Sequence, residues 1–247
     1  MSMATLVGMN GHCRHFCSGR SKENQIGAEV YNRIRPTGSV RPRMYGLPKV
    51  HKTEPIPLQP ILSMVGCAQH EMARWLAEIL QPVLNRFSTL LVKDSFEFCK
   101  VLRDFSPVQE DSFMCSFDVK SLFTNVPIDE TIELCLDTLY RSDIQPSDIE
   151  ETLLKKLLLQ ATRDVEFSFN NRMYRQIDGV AMGSPLGPVL ANIFLGYCES
   201  CIPEELLPEI YRRFVDDTFS LFFHKNKAFE LLVFDRFTSI VRVYYGE

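Results

Sequence analysis

Apolar and polar positions are patterned most tightly between Tyr211 and Phe222, YRRFVDDTFSLF. Two apolar runs rich in aromatic and β-branched residues flank the adjacent acids Asp216 and Asp217 there, which predicts a β-hairpin with its tight turn at the acids. A second strand-like run, FMCSFDV, carries a third acid, Asp118, at its end. Helical spacing governs other stretches. Met72, Trp75, Leu76, Ile79, Leu80, Val83 and Leu84 predict one helix from Gln69 to Phe87, with Trp75 in the core. A shorter helix is expected from Ser95 to Asp104, capped by Asp94 or Ser95. SLFTNVP continues the Asp118 strand into a turn, and Pro127 opens a helix through Tyr140. Ser147 and Glu150 read as a capping box for a helix through Ala161. VEFSF and MYRQI, separated by Asn170, Asn171 and Arg172, form a second predicted hairpin. Ser184 and Pro185 then supply the N-cap and first turn of a helix through Glu199, after a start loosened by Gly179, Gly183 and Gly187. A helix from Asn226 to Ser239 and a strand-like VRVYY complete the pattern.

Helices alternating with a hairpin and a lone strand predict an α+β fold. The order strand, helix, hairpin is that of a split β-α-β antiparallel sheet with helices packed on one face and the acid-bearing strands side by side at its centre. Upstream, RPTGSVRPRMYGLPKVHKTEPIPLQPILS holds too much Pro and Gly for a long helix. Its short extended pieces, MYGL and PILS, suit a small β-rich lobe. Residues 1–30 show little periodicity and read as loosely ordered.

Acids in turns are ordinary, because Asp hydrogen-bonds its own backbone there. Three carboxylates at one end of a sheet are not ordinary. Held within a few ångströms, they resist joint ionisation unless a cation sits among them. Hard oxygen ligands in an open cluster suit Mg²⁺, and a pair of such ions serves phosphoryl transfer. Charge distribution points the same way. The net charge is −4, yet residues 1–60 carry 9 Lys and Arg against 3 Asp and Glu. Between Tyr31 and Lys52 lie Arg33, Arg35, Arg41, Arg43, Lys49 and Lys52 without an acid. A cationic face beside an acidic, metal-seeking centre fits a phosphate polymer held over divalent ions. The glycine-bearing start of the Ser184 helix adds backbone N–H groups that suit close approach of a phosphate.

Other classes fall away. No apolar run is long enough to span a bilayer, and MSMATLVGMNGHCRH does not read as a secretory signal. Cys99, Cys115 and Cys135 sit in apolar periodic runs and read as buried. Neither His12, Cys13, His15 and Cys17 nor the single Cys198–Cys201 pair has the paired spacing usual for structural zinc.

Four segments in order now resemble the reverse transcriptases, and most closely those of Penelope-like retroelements. RPTGSVRPRMYGLPKVHK resembles their fingers entry motif, SFDVKSLFTNVP the palm motif with the first catalytic acid, GVAMGSPLGPVLANIF the next palm motif, and RFVDDTF the motif with paired acids. The resemblance spans residues 33–223. It implies a fingers-type region over 31–112 and a palm-type catalytic region over 113–247. It also implies RNA-directed DNA synthesis with an RNA template, a DNA primer and deoxynucleoside triphosphates, and two Mg²⁺ ions for which Mn²⁺ can substitute. Asp118 and Asp216 would be the principal metal ligands, Asp217 a third carboxylate, and the Val119 carbonyl would complete a metal shell. Phe123 would exclude a 2′-hydroxyl by steric contact. Lys49, with Lys52 as a second candidate, would reach the triphosphate, and Met182 and Gly183 would floor the nucleotide pocket. Phe214 and Val215 would lie against the primer end, with Arg41, Arg43, Ser184 and Pro185 along primer and template.

The chain departs from the family in places. Gln59 stands in the nucleotide pocket where relatives carry arginine, and an amide supplies neither the charge nor the paired hydrogen bonds of a guanidinium. No thumb and no GIY-YIG endonuclease are recognisable, and VRVYYGE does not resemble the family's continuation. The expectation is a copy truncated before the thumb. Nuclear work is implied by retrotransposition, though no localisation signal is visible. Two other readings stay open: an inactive nucleic-acid-binding relic of such an element, and an α+β scaffold whose acids are only turn residues.

Overall fold

A computed structural model describes residues 27–36, 40–50, 55–105, 112–119, 121–142, 144, 149–163, 165–177, 179–233 and 241–245. They fall into two compact units, each discontinuous in sequence. One is built from residues up to Val83 with Val126–Leu190, the other from Leu84–Asn125 with residues from Ala191 onward.

In the first unit, β1 (Arg43–Pro48) pairs antiparallel with β2 (Leu58–Ser63), placing Tyr45 opposite Ile61. On its other edge β1 pairs in parallel with β4 (Glu166–Phe169), which returns antiparallel to β5 (Arg172–Arg175), so the sheet order is β2-β1-β4-β5. The β4–β5 turn is two residues, Asn170 and Asn171, at φ 48° and 59°. Positive φ at both positions is the demand of a type I′ turn, and asparagine is among the non-glycine residues that adopt it most readily. Leu62, Met64, Cys67, Val165 and Ala181 form an apolar cluster of this unit, with Met44 and Phe167 against it.

Helices complete the first unit. After α1 (Ala28–Ile34), the predicted Gln69–Phe87 helix is broken into α2 (His70–Ile79) and α3 (Gln81–Arg86). Pro82 explains the break: it has no N–H to offer Glu78 and its ring crowds that carbonyl. Trp75 is buried as expected. Next in the chain are α4 (Ser95–Asp104) and the short α5 (Leu122–Asn125), both in the second unit, and then α6 (Ile128–Tyr140). In α6, buried Ile128, Ile132, Cys135, Leu136 and Leu139 repeat at helical spacing, with Asp129 and Glu130 at the positive end of the dipole. It packs on α7 (Glu151–Thr162), bridged by exposed ion pairs Lys155–Glu133 and Arg163–Asp129. The predicted capping box is not formed as read. Glu150 occupies the N-cap itself and its side chain makes no cap bond, while Ser147 lies outside the described residues.

The second unit is organised on β3 (Phe113–Val119), the hairpin β6 (Ile210–Phe214) and β7 (Asp217–Phe222), and β8 (Val241–Tyr245). The order is β6-β7-β3-β8 with every neighbour antiparallel. VRVYY, unlike the family's continuation in sequence, supplies β8. With α9 (Lys225–Val233) between β7 and β8, the unit completes a β-α-β-β-α-β arrangement. The rest of the predicted Asn226–Ser239 helix lies outside the described residues. Cross-strand partners share a face, and successive residues alternate. Cys115, Phe117, Tyr211, Arg213, Thr218, Ser220 and Phe222 therefore share one face, and all are buried. The other face carries Asp118, Asp217, Phe214 and Arg212, and is open near the turn. SLFTNVP forms the short α5 rather than a simple turn.

Two local features set this unit's packing. Asp94 caps α4, accepting from the Glu97 N–H at 2.8 Å, and Glu97 returns a bond by accepting from the Lys93 N–H at 2.8 Å. Gly196, in α8 (Leu186–Ser200), lies so close to Phe87 that an added Cβ would sit 1.9 Å from its carbonyl oxygen. The neighbouring Tyr197 ring meets Phe87 edge-on at 6.0 Å.

The cysteines divide more sharply than their sequence settings predict. Cys115 and Cys135 are buried, whereas Cys99 is exposed, because α4 buries none of its residues fully. Burial pushes the Cys115 thiol up to about 11 and the Cys135 thiol up to about 12. Iodoacetamide at pH 8 is expected to label Cys99 well before Cys115 or Cys135, as read by peptide mass spectrometry. Because both buried thiols titrate higher folded than unfolded, their contribution to stability is complete below the ordinary thiol pKa and is lost as pH rises through 11 to 12. Denaturant midpoints should therefore fall on going above pH 9, the ordinary value of both thiols.

Candidate active site

The predicted site residues divide between the two units. In the second, β3 pairs with β7 so that Asp118 stands directly opposite Asp217. The hairpin forms as the sequence predicts, but its two-residue turn is Val215–Asp216, because Phe214 pairs with Asp217 and the second acid already belongs to β7. Asp216 is tied to β3 through its backbone, its carbonyl accepting from the Val119 N–H at 3.4 Å. Two carboxylates are thus cross-strand neighbours, and the third sits on the adjoining turn. Val119 is buried at the end of β3, and Phe123 is half-buried in α5.

The turn is strained. Val215 has φ 57°. A two-residue hairpin turn with positive φ at its first position ordinarily takes glycine there, and a β-branched residue in that region costs about 1–3 kcal/mol. Its surroundings fix it. The Val215 carbonyl accepts from Arg213 Nη1 at 2.9 Å. Thr218, one residue past the acids, holds β3 with its side chain. Its Oγ1 accepts from the Phe117 N–H at 2.6 Å and donates to the Phe117 carbonyl at 2.8 Å. That hydroxyl fastens the strand carrying Asp118 to the strand carrying Asp217.

Beside Asp217 is a cavity of about 560 Å³. Phe98, Phe214 and Phe219 give it an apolar wall, and Lys93, Arg212 and Asp217 lie among its other lining residues. The Phe98 and Phe219 rings meet edge-on at 5.1 Å. Phe214 is 50% exposed.

The first unit holds the nucleotide and template candidates. Gly183, at φ 126°, lies where an added Cβ would come within 2.3 Å of the Leu62 carbonyl oxygen. Only glycine fits that approach. Met182 is bound to the same strand, its carbonyl accepting from the Leu62 N–H at 2.9 Å. Gln59, in the place of the expected arginine, donates from Nε2 to Met182 Sδ at 3.2 Å. Lys49 follows β1, its N–H donating to the Pro57 carbonyl at 2.9 Å. Arg41 and Arg43 are exposed, and Arg41 Nη1 lies 3.5 Å from Met173 Sδ. The Ser184 hydroxyl accepts from the Leu186 N–H at 3.3 Å, capping α8, with Pro185 half-buried beside it. The basic stretch is not uniformly available: Arg33 is paired with Glu78. Lys52 and the His12–Cys17 cluster lie outside the described residues.

Sequence reasoning missed Arg213, Glu199 and Thr218. The signal was present for Arg213. A charged residue alternating with Tyr211 on the core-facing side of a strand must be paired or pay a large desolvation cost.

Carboxylates such as Asp118 and Asp217, on adjacent strands, are the hard oxygen donors that a divalent cation takes. Among the described residues, no group of three or more His, Cys, Asp or Glu side chains converges closely enough to hold an ion. Like charges on directly opposite strand positions destabilise the pairing.

Thr218→Val would leave the buried Phe117 N–H without its partner. The variant is expected to lose about 1–3 kcal/mol of stability, measured by urea denaturation.

Comparison with known proteins agrees with this architecture. Residues 30–240 match the family model "Reverse transcriptase (RNA-dependent DNA polymerase)". No curated protein matches the chain. Among solved structures, apo telomerase from Candida tropicalis truncated from its C-terminal domain aligns with TM-score 0.57 at 14% identity, over 84% of this chain and 50% of that one. Telomerase from Candida albicans in complex with a fragment of telomeric RNA aligns with TM-score 0.60 at 11% identity, over 90% and 44%. An RNA polymerase complex inside a dsRNA virus aligns with TM-score 0.52 at 8% identity, over 98% and 25%. At these identities the likeness is one of fold, and the chain spans half or less of each of these structures. The family match covers most of the chain and includes both acid-bearing strands, so the chain belongs to the reverse transcriptase (RNA-dependent DNA polymerase) family.

Proposed function

We propose that this chain is the fingers and palm region of the RNA-directed DNA polymerase of a Penelope-like retroelement, with 31–112 fingers-type and 113–247 palm-type. The observation that carries the reading is the β3–β7 register, which sets Asp118 opposite Asp217 with Asp216 on the adjoining turn. The reaction joins a primer 3′-hydroxyl oxygen to the α-phosphorus of a deoxynucleoside triphosphate as the bond to pyrophosphate breaks. Asp118, Asp216 and Asp217, with the Val119 carbonyl, would hold Mg²⁺ or Mn²⁺. When bound, such ions polarise the attacking hydroxyl and stabilise the departing pyrophosphate. The residues of the chain supply positioning and electrostatics.

Lys49, with Lys52, binds the triphosphate. Gly183 and Met182, fixed against β2, form the floor of the nucleotide pocket, with Gln59 bracing Met182. Phe123 excludes the 2′-hydroxyl. Phe214 and Val215 meet the primer end, and Arg41, Arg43, Ser184 and Pro185 follow the template and primer. Retrotransposition would place this work in the nucleus. No described helix is long and apolar enough to cross a membrane.

The decisive measurement is Mg²⁺-dependent primer extension on an RNA template. Asp118→Asn and Asp216→Asn are expected to lower it by roughly 100-fold or more at unchanged thermal stability; full activity in either variant defeats that residue's assignment. Phe123→Ala should raise ribonucleotide incorporation relative to deoxyribonucleotide, read on the same template. Gln59 favours a second reading, a nucleic-acid-binding relic, because it leaves the triphosphate without a guanidinium. Salt-dependent binding of primer–template duplex with no incorporation at any Mg²⁺ concentration would select that reading.

A further inference from the structure

Arg213 is a charged side chain in a core position, 1% exposed, and none of the roles above uses it. Its Nε donates to Glu199 Oε1 at 2.6 Å and its Nη2 to Glu199 Oε2 at 3.2 Å, a two-point grip on α8. Its Nη1 donates to Asn192 Oδ1 at 2.7 Å and to the Val215 carbonyl at 2.9 Å. Tyr211 donates its hydroxyl to Glu199 Oε1 at 3.1 Å. The Arg213 backbone is fixed as well, its N–H donating to the Leu90 carbonyl at 2.9 Å and its carbonyl accepting from the Val92 N–H at 2.8 Å.

A buried ion pair of this kind adds little net stability, because desolvating both charges offsets their attraction, and apolar residues of equal volume often serve as well. An apolar pair could not hold the Val215 carbonyl. That carbonyl belongs to the peptide linking a β-branched residue at positive φ to Asp216. The bond falls on the one strained peptide of the hairpin, next to the acids.

We propose that Arg213, braced by Glu199 and Asn192, is a positioning residue that holds the Val215–Asp216 turn in its strained conformation and so aims Asp216 and Asp217 at a shared divalent ion. For the ion the proposal rests on the polymerase reading; for the turn it rests on the hydrogen bonds alone. Lysine cannot substitute. Its ammonium is a single point that cannot reach the Glu199 carboxylate, Asn192 and the Val215 carbonyl together. Glycine at 215 would remove the need for the restraint, since it adopts positive φ without strain.

The test is a cycle of Arg213→Lys, Val215→Gly and the double variant in the full chain. Mn²⁺ affinity is read by electron paramagnetic resonance, turn mobility by hydrogen exchange of the peptide spanning 213–218, and activity by primer extension. Arg213→Lys is expected to weaken Mn²⁺ binding roughly tenfold and to speed exchange at the turn. In Mn²⁺ affinity, Val215→Gly alone should stay near the parent and the double variant should recover to within about threefold of it, while primer extension is compared only between the parent and Arg213→Lys. Parental Mn²⁺ affinity and exchange in Arg213→Lys overturn the proposal. A loss that Val215→Gly does not restore also overturns it, since a merely structural role gives additive effects. Should Arg213→Lys not fold, the neutral pair Arg213→Met with Glu199→Gln serves in its place, and parental Mn²⁺ affinity there overturns the proposal. A parent that extends primers while Arg213→Lys behaves like it defeats the positioning role and leaves the polymerase reading standing. A parent whose Mn²⁺ binding depends on Arg213 but which extends no primer does the reverse.

Discussion

The pairing of β3 with β7 is the constraint on which the proposed site depends. It sets two carboxylates opposite each other across a sheet, an arrangement that costs stability by itself. The sheet compensates away from the acids. Phe117 and Phe222 pack edge-on on the buried face at 6.5 Å, and the Thr218 hydroxyl replaces part of the backbone ladder beside Phe117. Apolar burial on one face therefore sustains like charges at the end of the other.

The same logic explains Arg213. In a strand whose alternate residues face the core, a guanidinium is tolerated only with its donors satisfied. Glu199, Asn192 and the Val215 carbonyl satisfy them. Removing one partner of such a pair typically costs about 3–5 kcal/mol, most of it the price of the orphaned charge. The network thus links α8, which carries Glu199, to the turn that carries Asp216, through side chains with little freedom to rearrange.

Much of this could be read from residue order alone, and the reasons are local. The acid hairpin, the Asn170–Asn171 turn and the Asp94-capped α4 are each set by residues within a few positions of one another. Where the reading failed, the deciding contact was distant or competed with a periodic signal. The apolar repeat ran through Pro82 without registering that a missing N–H outweighs hydrophobic spacing. Cys99 sits in an apolar run, but nothing in the run shows that α4 keeps its faces partly open. Glu150 fits a capping box by spacing, yet takes the cap position itself. VRVYY carries no recognisable motif; its place beside β3 follows from sheet topology, which no window of sequence encodes. The acids were identifiable because three of one type recur at strand ends. Thr218 was not, since a threonine in a strand is unremarkable until its partner, 101 residues away, is known.

That separation also shapes how the chain must assemble. Both neighbours of β3 are synthesised long after it, for β7 and β8 lie beyond α8. Until they arrive, β3 has two open edges and an apolar face containing Cys115 and Phe117. Such an edge readily pairs with another chain, and contacts of this span close slowly. On the ribosome, the strand that bears Asp118 is thus a segment that benefits from shielding by a chaperone, and slowing translation between β3 and β7 should lower the soluble yield.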